Sequence, residues 1–176
     1  MRRALCFGLL VGLLVPAAAL AERTVPGDGT LAVRNGDGML RLDLKGVALG
    51  RMASGVLEVE VALERDCEGP DVNVVGAERE REDVKWVDDE TPVWLCRFVD
   101  RKGGLRFRIA GQQVIRFKFM RNLNLSAVGR GSARIRGNGD APGSYSLNGD
   151  EFTLLPDVLE ELQLGTQPRP QPVRPE

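Results

Sequence analysis

The 176-residue chain contains no histidine. It therefore lacks the side chain that most often does acid–base work near neutral pH, and the commonest metal ligand. Ser-His-Asp and Cys-His catalysis are excluded, as are His-ligated zinc and the metalloprotease motifs. An excess of charge of either sign is also missing: 24 Lys+Arg stand against 25 Asp+Glu, for a net charge of -1. That balance does not fit the uniformly basic profile of a nucleic-acid binder. Aromatic residues make up only 5% of the chain, too few for a row of base-stacking platforms. No CxxC, GxSxG, SxxK, P-loop, GxGxxG or EF-hand spacing occurs. The expectation is a non-catalytic protein with no cofactor and no metal.

What is present begins with a targeting pattern. Residues 1–21 read MRRALCFGLLVGLLVPAAALA. Arg2 and Arg3 form a basic start, Ala4 to Val15 an apolar run, Pro16 a break, and Ala19-Leu20-Ala21 a small-x-small cleavage site. This is the pattern of a secretory signal peptide cut between Ala21 and Glu22, which places the mature chain in the periplasm, at the cell surface or outside the cell. The apolar run is short for a membrane span and no later stretch approaches span length, so no transmembrane segment is expected after cleavage. Two cysteines then remain, Cys67 and Cys96. An even pair in an exported protein is most simply a disulfide.

Residues 22–164 read as a single β domain. Short alternating runs recur between Gly- and Asn-rich turns, the mark of strands. Thr30–Arg34 and Met39–Leu44 flank Asn35-Gly36-Asp37-Gly38, a hairpin signal. Leu105–Ile109 and Val114–Phe119 flank Gly111-Gln112-Gln113, a second hairpin. Val56–Leu63, Val72–Val75, Val93–Val99, Ser132–Arg136, Ser144–Leu147 and Glu151–Leu155 are further strands, with Glu58 and Glu60 facing outward. Asp157–Leu164 after Pro156 predicts a short C-terminal helix. The fold class is all-β, with antiparallel strands closing a sandwich or barrel. Residues 165–176 are a Pro-rich tail with too little apolar content to pack, predicted to be disordered.

A weak internal repeat relates residues 28–63 to 103–136. GTLAVR (29–34) parallels GGLRFR (103–108), and MLRLDL (39–44) parallels VIRFKF (114–119). Leu49-Gly50-Arg51 parallels Val128-Gly129-Arg130, which predicts a Gly-Arg corner after each hairpin, either a plain turn or an anion-binding nest. Together with Ala-Val-Gly-Arg-Gly (127–131) and Gly-Ser-Tyr-Ser-Leu-Asn-Gly (143–149), this order resembles uncharacterised secreted β-rich bacterial proteins with glycine-rich, Gly-Arg-centred repeats. The resemblance implies export and an all-β fold, and no site residues.

The small net charge hides a segregation along the chain. From Glu58 to Glu90 there are 13 acidic and 4 basic residues, net -9. From Arg97 to Arg136 there are 11 basic residues and Asp100 alone, net +10. Strand alternation would turn Leu105, Phe107, Ile109, Ile115, Phe117 and Phe119 inward and line the other face with Arg106, Arg108, Arg116 and Lys118. Like charges across a strand pair repel, so this face requires a negative partner. An internal partner would be the acidic stretch Glu78–Glu90 or the Glu58/Glu60 strand. An external one would be an anionic glycan, an acidic envelope polymer or anionic lipid headgroups, all of which suit the bidentate fork of arginine. A structural or binding role at the cell envelope follows. The alternative is a carbohydrate-active protein, a sugar-binding module or a carboxylate-based glycoside hydrolase, built on Trp86, Asp88, Asp89 and Trp94.

Overall fold

The computed structural model describes residues 28–62, 67, 69–86, 92–100 and 103–165. The expected signal peptide lies outside these residues, as does the tail beyond Gly165. The described residues form nine strands: β1 (Gly29–Met52), β2 (Ser54–Ala62), β3 (Val72–Val75), β4 (Ala77–Trp86), β5 (Pro92–Asp100), β6 (Leu105–Gly137), β7 (Ser144–Leu147), β8 (Thr153–Leu154) and β9 (Glu160–Leu164). They form one antiparallel sheet in the order β4-β5-β2-β6-β1-β7-β8, with β3 and β9 each paired to β6. The sheet is open, because its end strands β4 and β8 do not pair with each other. The all-β class expected from the alternating runs is what forms, in an open sheet wrapped around one core.

The two expected hairpins do not form. Residues 30–44 lie within the single strand β1, and residues 105–119 lie within β6. These two strands instead pair with each other, twice. In one register β1 runs from Gly29 opposite Gly129 to Met52 opposite Leu105. In the second, Gly38 to Arg51 run opposite Gly137 to Asn124. Both strands must bend to meet this double demand. The bends carry the positive-φ residues Asn35, Gly38, Phe119 and Asn122. The Asn-Gly signal was thus a real change of backbone direction, but it bends a strand and does not reverse it.

Asp37 ties the two bends together. Its carboxylate accepts the backbone N–H of Asn122 at 2.7 Å and pairs with Arg121 at 3.0 Å. Its backbone N–H donates to the Pro142 carbonyl at 2.8 Å. A second device is a row of glycines in register: Gly111 opposite Gly46, Gly46 opposite Gly129, and Gly129 opposite Gly29. A Cβ on Gly46 would collide with the Val128 carbonyl, and one on Gly129 with the Lys45 carbonyl. Glycine here permits a close approach that no other residue allows. The Gly-Arg pairs 50–51 and 129–130, expected at corners, are inside the extended strands β1 and β6.

The core follows from alternation. Leu40, Leu42, Leu44, Ala48 and Met52 of β1 face Leu105, Phe107, Ile109, Ile115 and Phe117 of β6, all buried. The rings of Phe107 and Phe117 lie 5.1 Å apart and tilted. Each such side chain contributes roughly 1.5–3 kcal/mol when fully buried. Phe119, expected to face inward, is 80% exposed. Its φ of 53° at the bend breaks the alternation and turns the side chain out. The helix expected over Asp157–Leu164 is absent: Glu160–Leu164 is β9, with Leu162 opposite Ala133 on β6. Leu162 and Leu164 alternate with Glu161 and Gln163, and burying the two leucines against β6 outweighs the local helical preference of this stretch.

Candidate anion-binding site

The four basic residues singled out on the sequence project from the outer face of β6, between the buried positions. They lie along one strand, not across a hairpin, and their neighbours divide them. Arg116 pairs with Glu60 at 2.7 Å, and Lys118 with Glu58 at 2.8 Å. Glu58 lies opposite Arg116 on one side and Arg97 of β5 on the other. Glu58 and Glu60 project from the outer face as expected, yet each is only 6% exposed, because cationic side chains of the flanking strands cover them. The Glu58/Glu60 strand is therefore the internal partner of half of the basic face. The acidic segment over β4 is not. Its strand pairs with β5 and is separated from β6 by β5 and β2. Arg108 donates to the Pro70 carbonyl at 3.2 Å.

Arg106 belongs to a different neighbourhood. It lies directly opposite Arg51 of β1, and Arg51 lies opposite Asn124 in the second half of β6. Arg34 completes the group, and the three arginines line one open groove of about 560 Å³. Its walls include Leu49, Asn124 and Phe152, and among the described residues no carboxylate lines it. The Arg34 guanidinium sits over the Phe152 ring at 3.8 Å. Among the described residues, none of these three arginines forms an ion pair. Placing Arg51 across from Arg106 sets two like charges directly opposite each other. The chemistry of such a groove is the capture of an oxyanion by planar forks of N–H donors.

Arg34 and Arg51 were not among the residues proposed as an anion-binding face, although Arg51 appeared in a Gly-Arg pair. Their alternation with buried residues is visible in the sequence, since Leu31, Val33, Leu40, Leu42 and Leu44 mark the inward positions of β1. Their proximity to Arg106 is not visible, because it depends on a cross-strand register that brings together residues 55 and 72 positions apart.

Two other basic features lie on the outer face. Arg41 sits between Arg116 and Arg134 in register, and Arg134 is held by Glu161 at 3.1 Å. A smaller cleft of about 310 Å³ lies beside Phe119, Met39 and Arg136. Of the residues proposed for sugar binding, Trp94 is half-buried on β5 and packs against the core. Asp88 and Asp89 lie outside the described residues, as does the side chain of Trp86. Cys67 and Cys96 form the expected disulfide, with Cα atoms 5.6 Å apart. Among the described residues no cluster of His, Cys, Asp and Glu could hold a metal ion, and no helix is long and apolar enough to cross a membrane. Compared with known proteins, the chain matches no family model, no curated protein and no solved structure.

Proposed function

We propose that this disulfide-bridged β domain is exported and acts without catalysis at the cell envelope, where the groove of Arg34, Arg51 and Arg106 binds an anionic ligand. The carrying observation is the Arg51–Arg106 pair: two directly opposed cations in a groove that no carboxylate of the described residues lines, beside a third cation in the same groove. For Lys118 and Arg116 on the same face the protein supplies its own counter-charge, in Glu58 and Glu60. Leaving three arginines unneutralised costs stability through repulsion, which a bound anion would relieve. Export is supported by the Arg2–Ala21 leader pattern and fits the Cys67–Cys96 bridge, since disulfides persist in oxidising compartments. The anion-binding face thus shifts from Arg106, Arg108, Arg116 and Lys118 to a group that keeps only Arg106 of the four.

The test is binding of a soluble polyanion, heparin serving as the probe, across a salt titration. The wild-type chain should bind with an affinity that falls steeply as salt rises, because the contacts are exposed ion pairs. Arg51→Ala with Arg106→Ala should remove most of that binding, whereas Arg108→Ala should leave most of it. Equal binding by the wild type and the double variant would refute the assignment.

A further inference from the structure

We infer that the anion this groove takes is the headgroup of an anionic lipid, and that the surrounding face docks on a membrane surface. The inference rests on the anion-binding reading above and deepens it. Its basis is the apolar surface around the cations. Val75 of β3 lies directly opposite Arg106 and is 62% exposed. On the far side Arg34 lies opposite Ser144, and Ser144 opposite Leu154, which is 73% exposed. Leu49, two residues from Arg51 and on the same face, is half-exposed, and Phe152 lines the groove beneath Arg34.

Residues directly opposite in a sheet share a face. Val75, Arg106, Arg51 and Asn124 therefore form one outward-facing line, and Arg34, Ser144 and Leu154 form another that meets the groove at Arg34. The cations lie in the middle and the large apolar side chains at the margins. A soluble polyanion would engage the guanidinium groups and gain nothing from Val75, Leu49 or Leu154. A lipid surface engages both. The arginine forks take phosphate oxygens at headgroup depth, and the flanking apolar side chains enter the acyl boundary. Attraction of basic residues to anionic lipid adds to apolar burial in interfacial binding, and both terms are available here.

The experiment is co-sedimentation of the full chain with phosphatidylcholine vesicles, with and without phosphatidylglycerol, alongside heparin binding and competition by soluble glycerol phosphate. The wild type should pellet with the phosphatidylglycerol vesicles and not with pure phosphatidylcholine, and glycerol phosphate should compete poorly. Arg51→Ala with Arg106→Ala should weaken vesicle binding about 30-fold, from about 1 kcal/mol for each basic residue at an anionic surface. Val75→Ser with Leu154→Ser should weaken vesicle binding about tenfold or more while leaving heparin binding unchanged, because neither residue lines the groove. Both side chains are exposed, so these changes remove no core contact. If the wild type binds heparin but not vesicles, or the Val75/Leu154 variant keeps full vesicle affinity, the lipid inference is overturned while the anion-binding reading stands. If it binds neither, both fall together.

Discussion

Glu60 and Arg51 carry opposite charges on one sheet face, and substitutions at the two sites should have opposite consequences. Arg116→Ala would deprive Glu60, 6% exposed, of its 2.7 Å partner. A buried charge left short of a partner is costly, and urea unfolding should show a loss of about 2–3 kcal/mol. Arg51→Ala removes an exposed cation that lies between another cation and an uncharged Asn124, so stability should hold within about 0.5 kcal/mol or rise slightly. If the two variants lost the same stability, the division of the basic face into paired and unpaired halves would be wrong. Alternation alone placed Arg106, Arg108, Arg116 and Lys118 outward and Leu105, Phe107, Ile109, Ile115 and Phe117 inward, because period-two patterning needs no tertiary information. Which of those cations meets a carboxylate depends on strand neighbours, and no local pattern encodes them. Phe119 departs from the alternation because a bend overrides the period.

At the scale of the element, β1 and β6 explain why signals for turns became bends. Asn35-Gly36 and Gly111-Gln112-Gln113 have hairpin composition, yet each sits within a strand whose neighbour is the other long strand. The competing term is the burial of the eighteen inward apolar side chains of β1 and β6, much of which a local hairpin would forgo. Two positions test this construction. Asp37→Ala removes the acceptor of Asn122 and the partner of Arg121 at the meeting of the bends, and should cost about 1–2 kcal/mol in denaturant unfolding. Gly129→Ala places a Cβ against the Lys45 carbonyl at a φ of 151°, a backbone contact that no side-chain rotation relieves. It should lose at least about 3 kcal/mol, read most simply as a loss of soluble, folded yield. An alanine there with wild-type stability would show that the glycine row is not what lets the strands approach. The sequence offered the glycines but not their register, since Gly29, Gly46, Gly111 and Gly129 come together only through pairing across the sheet.

At the scale of the molecule, the charge asymmetry along the chain resolves in two ways. One acidic strand, β2, lies beside β6 and neutralises Arg116 and Lys118, two of the four cations on the outer face of Leu105–Phe119. Arg106 instead joins Arg34 and Arg51 of β1 around an open groove. The Cys67–Cys96 bridge links the segment before β3 to β5 across 29 positions of sequence. Closing a loop of that length is worth about 3–4 kcal/mol in the chain-entropy model. Reduction should therefore lower the unfolding midpoint by a corresponding amount without altering the β1–β6 core. The most direct test of the central claim measures binding and stability together on Arg51→Glu with Arg106→Glu. Polyanion or anionic-vesicle binding should be abolished at low salt, while the unfolding free energy stays at or above that of the wild type. Retained binding, or a loss of stability like that of Arg116→Ala, would contradict it and make these arginines part of the scaffold.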